Sequence, residues 1–345
     1  MAAEKLRFAS DYMEGAHEKI LDRLIETNYL KTPGYGSDEF TQEAKQKILA
    51  ACGLADGEVH LLVGGTQTNA TVIDALLRSY QGVIAASSGH ISVHEAGAIE
   101  FGGHKVFALP ERDGKISAGT VEACLHEYHR DANRDHMVMP GMVYISQPTE
   151  YGTLYSLGEM EALSAVCRKY AVPLYVDGAR LAYALGCGQN DVTLRDLARL
   201  ADVFYIGGTK CGALFGEAVV FTKKGMCPHF FTVVKQHGAL LAKGRLLGLQ
   251  FGVLFTDGLY EELGKSAVAL ADELRHALVQ KGYELTFPSP TNQVFFTVDD
   301  EKLAKLMEKA EPDLWGKPDD IHTIARLTTS WATTREQVEA LINCL

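Results

Sequence analysis

The sequence predicts an α/β protein built on a largely parallel sheet that helices cover on both faces. Short apolar runs alternate with amphipathic helical segments along most of the chain, which is typical of βαβ units. Several runs end in glycine or polar residues, and ligand-facing residues of open α/β sheets collect at such strand ends. The runs that we interpret as strands are residues 60–63, 83–86, 106–109, 137–145, 174–176, 203–206 and 218–221.

Composition places the chain among ordinary globular proteins and excludes several classes of function. It has 345 residues, of which 47% are hydrophobic, and this length has room for about two domains. A formal net charge of −11 argues against a nucleic-acid surface, and no apolar segment approaches the ~20 residues that span a bilayer. The N-terminus lacks the apolar core of a signal peptide, so the sequence predicts a cytoplasmic location.

Seven cysteines are dispersed along the chain without a Cys-x-x-Cys pair. An odd, scattered count argues against a disulfide framework and against a zinc site, so we predict no metal. We interpret most of these cysteines as small apolar fillers of a reduced interior. Cys211 directly follows Lys210, and we interpret it as a residue chosen for its size rather than for chemistry.

The first part of the chain combines a predicted helix with a Gly-rich loop. Apolar positions at helical spacing between residues 10 and 29 predict the helix. Tyr35 lies between glycines in the loop that follows, where a plain turn accounts for the pattern. The next predicted helix covers residues 38–53, with Ser37 or Asp38 as its N-cap.

A glycine pair joins the strand at 60–63 to a helix, in the run Gly64-Gly65-Thr66-Gln67. Backbone N–H groups at a helix start and the helix dipole both attract phosphate, and glycine removes the Cβ that would block its approach. A simple Thr-capped helix is the alternative interpretation. The spacing matches neither the dinucleotide fingerprint nor the P-loop, so neither of those sites is supported.

His90 lies just after the strand at 83–86, where ligand-facing residues collect in open α/β sheets. A lone histidine is often structural, but this position favours a functional role. His94 and Glu95 are predicted to begin a helix, and we interpret His94 as structural.

Another strand end carries an aspartate and an arginine. Asp177 ends the strand at 174–176, and a carboxylate buried there needs a cationic partner. Arg180, three residues later, is one candidate partner. In the functional interpretation, Asp177 instead contacts a protonated ring nitrogen of a cofactor, and Arg180 binds a substrate carboxylate with two parallel hydrogen bonds.

Lys210 follows the strand at 203–206 and two glycines. A lysine that leaves a sheet edge into a cramped pocket loses hydration, which lowers its pKa and makes its amine nucleophilic. Such lysines form Schiff bases with carbonyl compounds, pyridoxal phosphate among them. An ordinary surface lysine is the alternative.

The composition shifts near residue 255 and predicts a smaller C-terminal α+β unit. Arg326 lies in one of its strands among apolar residues, where an arginine either binds an anion or forms an internal ion pair. Residues 224–281 are predicted to be mainly helical. The later predicted elements are strands at 284–287, 293–297 and 324–328 and helices at 301–310 and 334–344.

Together these motifs resemble the threonine aldolase and β-eliminating lyase family of fold type I pyridoxal-phosphate enzymes, in particular its low-specificity threonine aldolase and phenylserine aldolase branch. The resemblance spans nearly the whole chain. It implies a large domain with a mostly parallel seven-stranded sheet, at 38–254, and a small C-terminal domain at 255–345. Residues 1–37 would form a helix and an arm. The motifs that carry it are Gly65-Thr66, His90, Asp177-Gly-Ala-Arg180, Gly-Gly-Thr-Lys210 and Arg326-Leu-Thr-Thr-Ser-Trp.

The resemblance implies a role for each cofactor residue. Lys210 resembles the lysine that binds pyridoxal 5′-phosphate covalently as an aldimine. Asp177 resembles the partner of the pyridine nitrogen, and His90 resembles the imidazole that stacks on the ring. The remaining residues expected to bind the cofactor are Gly65, Thr66, Gln67, Arg180 and Thr209.

The resemblance also implies how the substrate is bound. Arg180 and Arg326, together with Ser10, resemble the group that binds the substrate carboxylate. Tyr35 resembles a residue that reaches the site of the neighbouring subunit. The expected assembly is a homodimer or homotetramer with sites at the subunit interface, acting on a small amino acid and on neither nucleic acid nor membrane.

One motif departs from the family pattern. Threonine aldolases usually carry Leu-Glu-Asn-Thr-His at this place, and this chain has Ser146-Gln-Pro-Thr-Glu150. Glu150 therefore replaces a histidine that contacts the substrate side chain, as in the phenylserine-aldolase-like branch. The cofactor chemistry is unaffected, but the β-substituent and the identity of the base stay open.

The reaction implied is retro-aldol cleavage of a β-hydroxy-α-amino acid, of the L-threonine, allo-threonine or phenylserine type, to glycine and an aldehyde. His90 or Glu150, directly or through a water, is the expected base, and such assistance is worth ~10²–10⁴-fold in rate. β-Elimination or transamination on the same cofactor is an alternative. A non-catalytic regulatory protein is a third, which the acidic charge disfavours.

Overall fold

The computed structural model describes residues 5–345, and its centre is a seven-stranded sheet between layers of helices. Two smaller sheets accompany it. The strands of the described chain are β1 (Leu6–Arg7), β2 (Glu58–Leu62), β3 (Gln81–Ala86), β4 (Val106–Leu109), β5 (Met139–Ser146), β6 (Leu174–Asp177), β7 (Val203–Gly207), β8 (Glu217–Phe221), β9 (Glu284–Leu285), β10 (Gln293–Asp299), β11 (Ala310–Glu311), β12 (Asp313–Gly316) and β13 (His322–Thr328).

The large sheet has the order β2-β8-β7-β6-β5-β3-β4. The neighbours from β7 to β4 pair in parallel, whereas β8 is antiparallel to both β2 and β7. The predicted mostly parallel, seven-stranded sheet is therefore confirmed. Because parallel strands share one carboxyl edge, the polar residues that follow β3, β5, β6 and β7 meet at the same side of the molecule.

Side chains of the central strands are buried on both faces of this sheet. On β5, Val143 and Ile145 belong to one apolar cluster, and Met142 and Tyr144 belong to the cluster on the other face. This arrangement explains why the strands appear in the sequence as continuous apolar runs. The α-helices of the described chain are α1 (Glu18–Glu26), α2 (Glu39–Cys52), α3 (Gly65–Leu76), α4 (His90–Val93), α5 (Ala98–Phe101), α6 (Ala118–Arg130), α7 (Leu157–Tyr170), α8 (Leu181–Leu185), α9 (Leu194–Leu200), α10 (Phe230–Gln236), α11 (Arg245–Leu254), α12 (Leu259–Gln280), α13 (Asp300–Lys309) and α14 (Arg335–Ile342).

The C-terminal part contains an antiparallel sheet of order β12-β13-β10-β9, which packs through a third apolar cluster that includes residues of α12 and α14. Strand β12 was not predicted, because its sequence Asp-Leu-Trp-Gly contains no apolar run. Its pairing with β13 is also irregular between Leu314 and Gly316. The strand nevertheless brings Asp313 and Trp315 to the edge of the site.

The helix predicted between residues 10 and 29 is present but shorter than predicted. Helix α1 covers only Glu18–Glu26, and the residues before it adopt irregular structure. Asp11 in this stretch is fully buried in an ion pair with Arg180, and burial of a charge without such a pair would cost several kcal/mol. Helix α2 follows its prediction closely, with the Asp38 side chain accepting a hydrogen bond from Thr41 N at 2.8 Å.

No helix among residues 5–345 is long and apolar enough to cross a membrane. Strand β1 pairs in parallel with β11, so the N-terminal arm contacts the C-terminal part of the chain. The division into units at residues 37 and 254 stays a prediction.

Candidate active site

The carboxyl edge of the large sheet opens into a cavity of about 300 Å³. A second cavity, of about 430 Å³, shares part of its wall and extends toward β12 and β13. Side chains from the N-terminal arm, the large sheet and the C-terminal part all reach this space. The first cavity is lined by Tyr12, Gly65, Thr66, His90, His94, Ser146, Pro148, Glu150, Asp177, Ala179, Arg180, Tyr205, Thr209, Lys210 and Glu217.

Lys210 lies in the turn after β7 and points its amine toward this cavity. The turn is tight, since a Cβ at Gly208 would lie 2.8 Å from the carbonyl oxygen of Gly216. Lys210 is half-buried, and its Nζ lies 5.9 Å from the ring centroid of Tyr12. No carboxylate of the described residues forms an ion pair with it. A half-buried amine without an ionic partner is available to a ligand, whereas a surface lysine would lie in open solvent.

Cys211 is fully buried beside Lys210 and faces away from the cavity lining. Burial raises the pKa of its thiol to about 12, which leaves it protonated and unreactive at neutral pH. This agrees with the predicted role of a small filler.

Asp177 is buried at the end of β6, and three donors hold its carboxylate. Oδ2 accepts hydrogen bonds from Tyr144 Oη at 2.6 Å and Asn69 Nδ2 at 3.0 Å, and Oδ1 accepts one from Ala179 N at 2.9 Å. Burial raises the pKa of Asp177, but the charge of His90 and the hydrogen bond from Tyr144 outweigh burial and leave the pKa below its ordinary value. The cavity therefore contains a fixed negative charge at the sheet edge.

Arg180 does not pair with Asp177, so the candidate ion pair between these two residues was wrong. Its Nε and Nη2 donate to Asp11 Oδ2 and Oδ1 at 2.7 and 3.0 Å. Asp11 and Arg180 are both buried, and they lie 169 positions apart in the sequence. Sequence spacing could not reveal this partner. The Arg180 side chain still lines both cavities, and its Nη1 donates no hydrogen bond within residues 5–345.

Arg326 on β13 is held in a similar way at the far side of the second cavity. Its Nη2 contacts Asp313 Oδ2 at 2.7 Å, its Nη1 donates to Gln293 Oε1 at 2.7 Å, and its guanidinium lies 5.1 Å from a ring centroid of Trp315. The Nε of Arg326 is buried without a partner in the described chain. An internal ion pair and an unused donor therefore coexist in this side chain.

The start of α3 forms part of the cavity wall, as the glycine pair predicts. Gly64 is its N-cap, and no side chain caps the helix, so the first N–H groups of α3 are free to bind a ligand. A Cβ at Gly65 would lie 3.3 Å from Tyr205 Oη, which shows how closely the backbone approaches the site. Gln67 is not among the lining residues; its Nε2 lies 3.5 Å from the carbonyl oxygen of His237. The free N–H groups and the helix dipole suit an anion.

Glu217 is buried beneath the Thr209–Lys210 turn and was not predicted. Its Oε1 accepts a hydrogen bond from Thr209 Oγ1 at 2.8 Å, and its Oε2 lies 3.3 Å from Gly208 N. Burial raises the pKa of Glu217 well above its ordinary value, which favours the protonated carboxyl group. Its position at the first residue of β8, an otherwise apolar strand, is the only signal in the sequence.

His90 begins helix α4 and faces the cavity, whereas His94 and Glu95 do not begin a helix. They lie in the turn between α4 and α5. His94 lines both cavities, so its interpretation as a structural residue stays a prediction. Glu95 is buried and hydrogen-bonds His90, with 2.8 Å between His90 Nδ1 and Glu95 Oε1. The short helix turns the side chains at positions 90 and 94 to the same side.

Glu150 is nearly buried in the loop after β5 and lines both cavities. Its Oε1 accepts a hydrogen bond from Ser146 Oγ at 3.0 Å, and its backbone oxygen lies 3.4 Å from Gln293 Nε2. The peptide bond between Gln147 and Pro148 is cis. These contacts hold the carboxylate at the boundary between the two cavities.

Comparison with known proteins places the chain in a family. Residues 7–301 match the family described as β-eliminating lyase. The chain belongs to the β-eliminating lyase family. A low-specificity L-threonine aldolase from a Pseudomonas strain is 30% identical, covering 99% of this chain and 97% of that protein. The corresponding enzyme of Pseudomonas aeruginosa is also 30% identical, covering 97% and 95%.

A solved structure supports the same placement. The threonine aldolase of Leishmania major is 42% identical and superposes with a TM-score of 0.95, covering 98% of this chain and 97% of that chain. These matches confirm the predicted family, the fold type I architecture and a pyridoxal-phosphate-dependent lyase.

Besides Gln67, two predicted residues of this β-eliminating lyase, Ser10 and Tyr35, lie apart from the lining of both cavities. Ser10 precedes Asp11 in the arm, and its Oγ is buried without a partner in the described chain. Tyr35 is exposed and lines a different cavity together with Phe231. Tyr12, which lines the site from the same arm, was not predicted because nothing distinguishes it from other aromatic residues in the sequence.

Proposed function

We propose that this chain cleaves β-hydroxy-α-amino acids to glycine and an aldehyde, with pyridoxal 5′-phosphate bound at Lys210. The main support for this proposal is that one cavity brings together Lys210, Asp177, His90 and the uncapped start of α3. The names of the similar Pseudomonas and Leishmania proteins support the reaction. When bound, the cofactor supplies an electron sink for the breaking Cα–Cβ bond.

The residues of the cavity fit this cofactor. The free N–H groups of Gly65 and Thr66 suit its phosphate. The ionised Asp177 suits a protonated ring nitrogen, because its pKa is depressed at the sheet edge. His90 lines the same space and would lie over the ring. Lys210 supplies the amine that would bind the cofactor covalently.

Binding of the substrate carboxylate is assigned to Arg180 and Arg326 with Ser10. Both guanidinium groups are already oriented by Asp11 and Asp313, which reduces the entropy lost when a carboxylate binds. The Nε of Arg326 and the Oγ of Ser10 are buried donors without partners in the described chain. Unpartnered buried donors are costly, and a carboxylate bound in the second cavity would satisfy the Nε of Arg326. Ser10 lies outside the lining of both cavities, so its assignment rests on the family resemblance.

Glu150 is assigned as the group that takes the β-hydroxyl proton. Its carboxylate lines both cavities together with His90, His94 and Arg180. Ser146 fixes one carboxylate oxygen, which leaves the other free to accept a proton from the substrate. His90 is the alternative base, but it is already bonded through Nδ1 to Glu95.

Glu150→Gln should lower kcat by about 10²-fold or more, because the amide keeps the shape and the Ser146 contact but cannot accept a proton. The visible absorbance of the bound cofactor should stay unchanged. Initial rates with L-threonine and with threo-phenylserine measure the effect, and Glu308→Gln, a change on the exposed face of α13, is the matched control. A rate within about threefold of wild type would exclude this role for Glu150.

Product analysis in the same assays separates aldol cleavage from the other reactions of this cofactor. Glycine and an aldehyde indicate cleavage of Cα–Cβ. A keto acid with ammonia would indicate elimination instead and would overturn the proposed reaction.

We also propose that two copies of the chain share their sites. Exposed apolar side chains cluster after α1 and around Tyr35, including Tyr29, which is 93% exposed, and Phe231. Covering such a patch by a second copy removes apolar surface from water. Tyr35 would then reach the site of the partner, as the family resemblance implies.

Mixing two inactive variants tests the shared site. Tyr35→Ala and Lys210→Ala proteins should each be inactive alone. After they are dissociated and reassociated together, activity should return to about a quarter of wild type, because half of the dimers are mixed and each has one intact site. Absence of any recovery, with mixed dimers shown by mass spectrometry, would contradict a shared site.

A cytoplasmic, reducing compartment is proposed as the location. All seven cysteines are free and five of them are buried. Such usage is typical of proteins that are kept reduced.

A further inference from the structure

A chain of buried hydrogen bonds connects His90 with Asp177 behind the cavity wall. Asn69 of α3 donates through Nδ2 to Glu95 Oε1 at 2.7 Å and to Asp177 Oδ2 at 3.0 Å. Its Oδ1 accepts from Tyr175 Oη at 2.8 Å, which fixes the orientation of the amide. Glu95 Oε1 also lies 2.8 Å from His90 Nδ1. The carboxylates of Glu95 and Asp177 thus share a single amide donor.

Glu95 is the unusual member of this chain of contacts. Its side chain has no exposed surface, and its Oε2 is buried without a partner in the described residues. A buried carboxylate that lacks full hydrogen bonding costs stability. Because glutamate is rarely fully buried with a carboxylate oxygen unpaired, a functional reason for Glu95 is expected.

His90 uses its two ring nitrogens differently. Nδ1 faces Glu95, whereas the ring lines the cavity and Nε2 has no hydrogen-bond partner within the described chain. A histidine whose Nδ1–H is held by a carboxylate has a defined tautomer and ring orientation. The other nitrogen is then the one that gains and loses a proton.

We propose that Glu95 and Asn69 are positioning residues for the two groups that face the cofactor. Glu95 accepts a hydrogen bond from Nδ1–H of His90, so that Nε2 is the nitrogen exposed to the cavity. Asn69 joins Glu95 to Asp177, so that the ring of His90 and the carboxylate of Asp177 are held as one unit. The inference rests on the proposed function, since it assigns both groups to cofactor binding.

The charges around His90 agree with this arrangement. Burial lowers the pKa of the imidazole, but the hydrogen bond to Glu95 and the carboxylates of Glu150 and Asp177 raise it, and the net shift is upward. Burial raises the pKa of Glu95 above its ordinary value, and the hydrogen bonds to His90 and Asn69 oppose this rise. The charged and titratable groups that face His90 from the surrounding elements are Glu95, His94, Glu150, Asp177 and Lys210.

The test measures the protonation of His90 directly, by ¹⁵N and ¹³C NMR of histidine-labelled holoenzyme, with the signal assigned by its absence in His90→Asn. In the wild-type protein, the neutral ring should have its proton on Nδ1. In Glu95→Gln, the titration midpoint of His90 should fall by about one pH unit, because the amide still accepts the hydrogen bond but has no charge. Glu100→Gln, an exposed carboxylate on α5, should leave the midpoint unchanged.

A second measurement uses cofactor affinity, obtained by equilibrium dialysis. Glu95→Gln and Asn69→Leu should each weaken pyridoxal phosphate binding by about tenfold, since each removes one contact that orients a cofactor-facing group. A neutral wild-type ring with its proton on Nε2, or an unchanged midpoint in Glu95→Gln, would overturn the inference. A lowered midpoint together with wild-type affinity in both variants would retain the link between Glu95 and His90 and would refute the proposed contact between His90 and the cofactor.

Discussion

Lys210→Ala should abolish the visible absorbance of the bound cofactor and should lower kcat for aldol cleavage by at least about 10³-fold. The half-buried Lys210 is in no ion pair within residues 5–345, and it lies in the cavity with Asp177 and His90. Alanine removes the amine without adding volume, so the turn after β7 should fold as before. The loss would therefore report chemistry rather than misfolding.

Chemical trapping gives a measure of this residue that does not depend on activity. Borohydride reduction of the holoenzyme, followed by peptide mass spectrometry, should find the pyridoxyl group on the peptide that contains Lys210. Lys305→Ala, an exposed change on α13, should keep the absorbance, the label and the rate. A label on another lysine, or an active Lys210→Ala protein, would refute the assignment.

Asp177→Asn should lower kcat by about 10²–10³-fold while the cofactor still binds. The amide is neutral and cannot hold a protonated ring nitrogen by charge. The NH2 group of the asparagine must also face a donor, because Tyr144, Asn69 and Ala179 N together donate to both oxygens of Asp177. Single-turnover rates with a β-hydroxy amino acid measure the chemical step separately from product release.

Tyr144→Phe is the matched control for this prediction. It removes one of the donors to Asp177 and leaves the charge and the other two donors in place, so the loss should be well below that of Asp177→Asn. Equal losses in the two variants would show that the hydrogen bond, rather than the charge, is the important feature. A rate for Asp177→Asn within about tenfold of wild type would argue against a protonated ring nitrogen at this residue.

The sequence was most informative about site residues that directly follow a buried strand. Lys210, Asp177, His90 and the glycine pair before α3 all follow buried strands, and all four line or border the same cavity. Such residues can be recognised because the strands are apolar and the residues after them are not. Parallel pairing then brings the strand ends together at one edge.

Residues whose role depends on a distant partner were harder to recognise. The spacing of Asp177 and Arg180 suggests a pair, but Arg180 binds Asp11 from the N-terminal arm. His94 and Glu95 look alike as helix-start residues, yet one lines the cavity and the other is buried behind His90. Glu217 interrupts an apolar strand without any motif around it.

Local sequence was therefore sufficient for the strands of the large sheet and for Lys210, Asp177 and His90 at its carboxyl edge, because period and strand length are properties of neighbouring residues. The charge partners of this site come from the path of the folded chain. Asp11 and Arg180 are separated by 169 positions, and Asn69 meets both Glu95 and Asp177 from another helix. Burial makes those pairings obligatory, since an unpaired charge inside the protein costs several kcal/mol, but burial is known only once the chain has folded.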